Sequence, residues 1–157
     1  MGRRLAVLAL NTFGHFHTTA DQLRALAALQ RCLVPGGLLA VDVPNPDPLD
    51  LAGGDGLTLL HWQKTDPGTG RTVQKWLTSE TDRAAQMQHY TLTYDEFSED
   101  GIVRRTAVSM PIRYTYRFEA ELLLERSGFA LEQMLGTYAG DDYVSDSPRM
   151  IWIARRR

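Results

Sequence analysis

The chain has 157 residues, of which 43% are hydrophobic and 23% are charged, a balance typical of a soluble globular protein. Its formal net charge of −2 provides no bulk positive field, so nucleic acid and anionic membranes are not expected partners. The single cysteine excludes an intrachain disulfide framework. No apolar run is long enough for a signal peptide or a membrane span, and we therefore expect a cytoplasmic protein.

The first part of the sequence has the pattern strand, helix, strand. Leu5–Leu10 is a short apolar run, typical of a strand that is buried on both faces. A helix is predicted from Thr19, where TADQ matches a capping box, to Leu33, because Pro35 and two glycines then force a turn. Leu38–Val43 predicts a second buried strand, and the helical crossover predicts that the two strands are parallel.

The rest of the sequence first changes character and then returns to this pattern. Residues 57–114 contain short β-branched and aromatic runs between turn residues, which predicts an antiparallel meander of roughly four strands. Phe118–Ser127 has acidic residues early and an arginine late, as a helix favours, and Gly128 is placed to end it. Strands are predicted at 130–137 and 149–154, where a connection without a helix allows antiparallel pairing.

The order and spacing of these pieces resemble the C-terminal part of a class I S-adenosylmethionine-dependent methyltransferase. The resemblance is carried by ALNTFGHF, LVPGGLLAVDVPNP, LLLERSGFALEQMLGTY and SPRMIWIARR, which together with the first helix cover nearly the whole chain. It implies an α/β fold: the C-terminal half of a Rossmann-like sheet, with strands in the family order 4-5-7-6, plus an antiparallel β insertion. Similar insertions form a lid in small-molecule methyltransferases, some of which methylate the amino groups of sugars.

The resemblance also implies a domain organisation and a cofactor. Residues 1–56 and 115–157 would form a partial Rossmann-like domain, and residues 57–114 the insertion or lid. The cofactor of the family is S-adenosyl-L-methionine, but the Gly-rich loop and the acidic residue that hold it in the family have no counterpart in this sequence. The glycines at 53–56 and 68–70 adjoin strand-like runs, which predicts turns. The isolated chain is therefore expected to bind the cofactor weakly or not at all.

The candidate catalytic residue lies in the loop after the first strand, since ligands of open α/β sheets bind beyond the carboxyl ends of the strands. In the resembled family this loop lines the methyl-transfer site, which implies cofactor contacts by Leu10, Asn11 and Thr12. Similar sugar N-methyltransferases have a histidine at the position of His15. An ammonium must lose a proton before its nitrogen attacks a methyl group, and imidazole titrates near neutral pH, so His15 is the candidate base. A structural role in capping the loop or the next helix is the alternative.

Other site residues are predicted less directly. Asn45, in the proline-rich loop after the second strand, and Trp62 and Tyr114 of the insertion are candidate acceptor-binding residues, although turn chemistry and core packing explain them as well. Asp42, inside the second strand, is expected either to meet a backbone donor or to face the crevice. The two histidines of the first loop lack a third ligand at suitable spacing, so no metal site is predicted.

Two functions from different classes are compatible with these patterns. The first is methyl transfer from S-adenosylmethionine to a small-molecule acceptor, an amine being favoured, by a methyltransferase of which this chain is a part. The second is a non-catalytic fragment or assembly module. Without a neighbouring strand, Leu5–Leu10 would be an exposed apolar edge that favours a homodimer or pairing with an upstream fragment. Half of a nicotinamide dehydrogenase fits poorly, because dehydrogenase sheets lack the last helix and the antiparallel strand pair.

Overall fold

The computed structural model describes residues 2–46, 55–98 and 101–157, which cluster into two compact units. One unit comprises Met1–Asp47 and Arg113–Arg157, and the other comprises Pro48–Ile112. The elements in chain order are β1 (Arg3–Leu8), a 3-10 helix (Thr12–His15), α1 (Thr19–Cys32), β2 (Leu33–Pro44), β3 (Thr58–Thr65), β4 (Thr72–Asp82), β5 (Met87–Phe97), β6 (Val103–Arg113), α2 (Arg117–Arg126), β7 (Phe129–Leu135) and β8 (Arg149–Arg156).

The first unit is built on a sheet with the strand order β1-β2-β8-β7. Strands β1 and β2 are parallel, and β8 runs antiparallel to both β2 and β7. The α/β fold with a parallel pair and a closing antiparallel pair is therefore confirmed. Because β7 has the same direction as β1 and β2, the carboxyl ends of these three strands and the amino end of β8 lie at one edge of the sheet, here called the carboxyl edge.

The core of this unit lies on one face of the sheet. Side chains alternate between the two faces of a strand, and every second residue of β2 and β8 is buried. The alternating residues of these strands that belong to the core cluster include Leu39, Val41, Val43, Met150, Trp152 and Ala154. Leu26 of α1 and Leu123 and Leu124 of α2 belong to the same cluster, so both helices anchor in it.

Strand β1 differs from its prediction in both its bounds and its burial. It spans Arg3–Leu8 rather than Leu5–Leu10, and Leu5 and Val7 are 56% and 57% exposed. Ala6 and Leu8 pack against the core. The expectation of burial on both faces was wrong because β1 is an end strand of the sheet, and the face that carries Leu5 and Val7 is exposed.

The N-cap of helix α1 lies one residue before the cap predicted from the sequence. Thr18 is the N-cap, and its hydroxyl oxygen accepts a hydrogen bond from the backbone N–H of Asp21 at 3.1 Å. The same hydroxyl donates to the carboxylate of Asp21 at 2.6 Å. Thr18 and Thr19 are adjacent and chemically equivalent as caps, so the sequence did not distinguish them.

Gln22, assigned to the capping box from the sequence, is fully buried instead. Its side-chain oxygen accepts a hydrogen bond from the guanidinium of Arg113 at 2.7 Å, and its nitrogen lies 3.3 Å from the hydroxyl of Thr115. Arg113 also donates to Glu119 at 2.6 Å. A buried charge is tolerated only when it is paired, and these contacts tie α1 to the start of α2 through polar groups.

The second unit is the predicted antiparallel meander, with the strand order β3-β4-β5-β6. Strand β4 is antiparallel to both β3 and β5. Asp95 of β5 accepts hydrogen bonds from Arg105 of β6 at 2.6 and 2.7 Å, and these bonds hold the pKa of the Asp95 carboxyl below its usual range. None of the helices that the structure describes is long and apolar enough to cross a membrane.

The glycine clusters form turns where the structure describes them. Gly70 has a φ of 69°, and its N–H donates to the carbonyl of Asp66 at 2.9 Å in the turn between β3 and β4. Gly56 has a φ of 74° and donates to the carbonyl of Ser79 at 2.8 Å. Residues 53–54 of the first cluster lie outside the described residues.

Two leucines of α2 provide a matched test of the core. Leu124 is fully buried and Leu122 is 67% exposed, so truncation removes the same atoms from two different environments. We expect Leu124→Ala to lower the free energy of unfolding by about 2–5 kcal/mol, because a cavity remains in the core. Leu122→Ala should change it by less than ~0.5 kcal/mol. Urea unfolding followed by circular dichroism measures both, and equal effects would contradict this packing.

Candidate active site

The chain leaves β1 through two consecutive left-handed residues. Leu10 has a φ of 54° and Asn11 a φ of 62°, values that residues other than glycine adopt at a cost of about 1–2 kcal/mol each. The N–H of Leu10 donates to Oδ2 of Asp42 at 3.1 Å, and the N–H of Asn11 donates to the main-chain oxygen of Asp42 at 3.2 Å. Asp42, near the end of β2, therefore accepts both backbone donors of this turn.

A 3-10 helix follows the turn at the carboxyl edge. The N–H of Gly14 donates to the carbonyl of Asn11 at 2.9 Å, so the helix starts directly from the left-handed turn. Phe13 is fully buried, with its ring centroid 5.1 Å from that of Trp152 in an edge-to-face contact. His15, the last residue of the helix, is exposed, and its imidazole forms no hydrogen bond with another described residue. Its imidazole is therefore accessible to a ligand at this edge.

Asp42 is the centre of the polar contacts at the carboxyl edge. Nε of Arg149 donates to its Oδ1 at 2.7 Å, and a second guanidinium nitrogen also donates to Oδ1. The hydroxyl of Tyr138 donates to Oδ2 at 2.7 Å, next to the N–H of Leu10. An ionised carboxylate accepts about four hydrogen bonds, so the acceptor capacity of Asp42 is filled. The expectation that Asp42 meets a backbone donor is confirmed.

Arg149 links Asp42 to the turn a second time. Its Nη2 donates to Oδ1 of Asn11 at 2.7 Å, and its guanidinium lies 5.9 Å from the ring centroid of Tyr138. The side chains of Asp42 and Arg149 are 8% and 20% exposed, so both charges are largely withdrawn from water and depend on each other. The start of β8 thus holds the side chain of Asn11 directly and the backbone of the turn only through Asp42.

The remaining predicted cofactor contacts lie in the same segment. Leu10 projects an 81% exposed side chain, and the hydroxyl of Thr12 donates to the carbonyl of Ala9 at 2.6 Å. The side chain of Asn11 is held by Arg149. The structure therefore brings Leu10, Asn11 and Thr12 together with His15 on one short stretch of chain.

The predicted acceptor-binding residues have different surroundings. Asn45 donates from its amide to the carbonyl of Ser145 at 2.9 Å and accepts from the hydroxyl of Tyr143 at 2.7 Å, so both ends of its amide hold loop contacts. Tyr114 is 8% exposed and belongs to the first unit. Trp62 belongs to the second unit, where Lys64 lies 5.4 Å from its ring centroid.

Sequence reasoning missed Tyr138 and Arg149. They lie 96 and 107 positions from Asp42, and no spacing rule connects residues so far apart. The available signal was weak: an arginine that opens an otherwise apolar strand, and a tyrosine in a polar loop. Among residues 2–46, 55–98 and 101–157, no three His, Cys, Asp or Glu side chains are grouped as metal ligands.

The phenol of Tyr138 gives a pH-dependent test of this cluster. Its hydrogen bond to Asp42 raises the pKa of Tyr138, so the folded state holds this proton more tightly than the unfolded state. The resulting stability is present below about pH 10, the unfolded value, and is lost as the pH rises through the folded pKa. We expect the thermal midpoint to fall less steeply between pH 9 and 11 in Tyr138→Phe than in the wild type. Parallel curves would contradict the hydrogen bond.

No protein-family model matches the chain. A curated relative, the cypemycin N-terminal methyltransferase of Streptomyces sp., is 24% identical over 153 residues. That alignment covers 98% of this chain but 58% of the relative, so the chain spans little more than half of that protein's length.

Solved structures show the same partial coverage. The CcbJ methyltransferase from Streptomyces caelestis matches with a TM-score of 0.77 and 20% identity over 98% of this chain and 61% of its own. An amino pentose methyltransferase from Micromonospora echinaspora, solved with S-adenosylmethionine bound, matches with a TM-score of 0.72 and 17% identity over 99% and 59%. The chain is thus similar, over part of their length, to methyltransferases, one of which was solved with S-adenosylmethionine bound, and it shares the fold of the solved structures.

Proposed function

We propose that this chain is the acceptor-side part of a methyltransferase that transfers a methyl group from S-adenosylmethionine to the amine of a small molecule. The observation that carries the proposal is the exposed imidazole of His15, presented at the carboxyl edge by a short helix whose start is bonded to β2 through Asn11 and whose Phe13 packs on Trp152. Ligands of open α/β sheets bind at this edge. The names of the similar proteins, one acting at an N-terminus and one on an amino pentose, support an amine acceptor.

The chemistry needs a base rather than a nucleophile. S-adenosylmethionine supplies, when bound, an electrophilic methyl group on a sulfonium centre. His15 would accept the proton of the protonated acceptor, which leaves a lone pair on the acceptor nitrogen for in-line attack. The absence of a hydrogen bond from His15 to the other described residues leaves its ring nitrogens available for that proton.

The segment before His15 could contact one side of the cofactor through Leu10, Asn11 and Thr12. Leu10 offers an exposed apolar side chain, and Asn11 and Thr12 are held in place by Arg149 and Ala9. Gly70 lies in the turn between the antiparallel strands β3 and β4, and Gly56 precedes β3, so neither leads from a strand into a helix. We therefore propose that cofactor binding also requires a segment besides these residues.

Acceptor recognition is proposed for Asn45, Trp62 and Tyr114, with different strengths of support. Trp62 has a partly exposed ring, which suits contact with a small molecule. Asn45 acts through the loop that it holds, because Ser145 and Tyr143 engage its amide. Tyr114 is buried and supports the site by packing. A small-molecule acceptor, rather than nucleic acid or membrane, agrees with the net charge of −2.

The role of His15 is tested by replacing two neighbouring exposed histidines. The chain is expressed together with the coding sequence directly upstream of Met1, where a strand, a Gly-rich loop and a helix are expected, and transfer of labelled methyl from S-adenosylmethionine to amino sugars is measured. We expect His15→Gln to lower kcat by about 10²–10⁴-fold, the usual contribution of a general base. His17→Gln, two residues away, should leave kcat unchanged.

Two results would contradict this proposal. Full activity of His15→Gln between pH 6 and 9 would exclude it as the base, and absence of transfer by the wild type to any amine would exclude N-methylation. Micromolar binding of S-adenosylmethionine by the 157-residue chain alone, measured by calorimetry, would show that no further segment is required.

An assembly role is the second candidate, and the exposure of β1 favours it. Leu5 and Val7 are more than half exposed on an end strand of the sheet, and such edges pair readily with other strands. We expect the isolated chain to dimerise or to bind an upstream fragment through this strand. Light scattering should show a mass above that of the 17.7 kDa monomer, which Val7→Lys reduces. A wild-type monomer at high concentration would contradict this role.

A further inference from the structure

The left-handed turn at Leu10 and Asn11 is not held by burial of its own side chains. Leu10 is 81% exposed, and Asn11 is only partly buried. Two adjacent non-glycine residues with positive φ persist only where surrounding contacts determine them. The N–H of Thr12 closes the turn by donating to the carbonyl of Ala9 at 3.2 Å, and hydrogen bonds to neighbouring strands hold it from outside.

Those hydrogen bonds converge on one residue. Asp42 accepts the N–H of Leu10 with its side chain and the N–H of Asn11 with its main chain. Arg149 binds the same carboxylate and also the side-chain oxygen of Asn11. Tyr138 fills the remaining acceptor position of the carboxylate, so neither oxygen is free to take another partner.

The turn determines where the following helix can point. Asn11 provides the carbonyl that accepts the N–H of Gly14, and Phe13 fixes the helix to Trp152 in the core. With the turn released, the packing of Phe13 and Phe16 against the core would remain, but the start of the helix would lose its hydrogen-bonded attachment to β2. His15 would then lose its fixed position at the carboxyl edge.

We propose that Asp42 is a positioning residue: its carboxylate holds the left-handed turn Leu10–Asn11 and thereby the 3-10 helix that presents His15. It acts through hydrogen bonds to the chain rather than by contact with a substrate. The consequence for catalysis rests on the proposed methyl transfer, whereas the consequence for the turn does not.

Amide hydrogen exchange, followed by NMR, separates a released turn from a single lost bond. In Asp42→Asn, the N–H of Leu10 loses its carboxylate acceptor directly, but Asn11 and Gly14 donate to main-chain carbonyls that the substitution leaves in place. We expect exchange at all three amides to accelerate by about tenfold or more, because they open together. Acceleration at Leu10 alone, or at none of the three, would overturn the proposal.

Glu132→Gln is the matched control. Glu132 of β7 also pairs with two guanidinium nitrogens of Arg155 of β8 in the same sheet, at a more exposed position and through both carboxylate oxygens, with Nη2 to Oε2 at 3.0 Å. This substitution also removes one carboxylate charge from an arginine of β8. Unchanged exchange at Asn11 and Gly14 in Glu132→Gln is expected. Acceleration equal to that in Asp42→Asn would show a general loss of sheet stability and would overturn the assignment to Asp42.

A rescue variant tests the mechanism of positioning. Glycine adopts positive φ without steric cost, so Leu10→Gly should restore slow exchange at Gly14 in the Asp42→Asn background. No recovery would mean that Asp42 does not act by holding the left-handed turn.

If Asp42→Asn alone does not fold, the variants Arg149→Lys and Arg155→Lys are compared instead. Arg149→Lys should accelerate amide exchange at Asn11 and Gly14, whereas Arg155→Lys should not. Equal acceleration in both variants would overturn the proposal.

The catalytic consequence is measured in the methyl-transfer assay. Asp42→Asn should lower kcat at least tenfold while KM for S-adenosylmethionine changes less than twofold, and Leu10→Gly should recover part of the lost kcat. A change in KM alone would contradict positioning of His15. If the wild type transfers no methyl group, the proposed function fails, whereas the exchange experiments still decide whether Asp42 holds the turn.

Discussion

The buried carboxylate of Asp42 connects segments that no hydrophobic contact could fix in the same way. It accepts donors from the turn after β1, from the start of β8 and from the loop after β7. A withdrawn carboxylate is stable only when such partners are present, and each partner in turn loses its own position when the carboxylate is removed. We therefore propose that the conformation of the turn after β1 depends on this group.

Apolar packing and polar contacts stabilise different features of the first unit. The core cluster aligns β2 and β8 and secures Phe13 beneath the 3-10 helix. Packing of this kind determines where the sheet and helices lie, but it does not determine the backbone dihedral angles of Leu10 and Asn11. Hydrogen bonds to Asp42 and Arg149 support the left-handed conformation of these two residues. Strained backbone of this kind tends to occur at functional sites.

Much of the fold was predictable because its signals are local. Apolar runs, the helix-ending glycine at 128 and the turn residues of the meander gave the correct elements, and Gly128 has the positive φ of 80° that this role requires. The predicted bounds of β1 were wrong because the apolar residues continue past the end of the strand at Leu8. The residue type of Leu10 gives no indication of its left-handed conformation.

From the sequence, the segment that carries His15 was assigned to the candidate site, but the polar contacts around Asp42 were not. The contacts of Asp42 with Tyr138 and Arg149 arise from strand pairing between distant parts of the chain, where Pro44 lies opposite Arg149. Gln22 was misread for a similar reason, since its buried partners Arg113 and Thr115 come from the other end of the chain. Polar contacts between residues far apart in the sequence follow no periodic pattern, so the sequence does not predict them.

The central claim, that Asp42 keeps two adjacent residues left-handed, is tested most directly by the intraresidue NOE between HN and Hα, which is strong where φ is positive. The account predicts strong NOEs at Leu10 and Asn11 in the wild-type protein and their weakening in Asp42→Asn. Weak NOEs at both residues of the wild type, or strong ones that persist without the carboxylate, would contradict it.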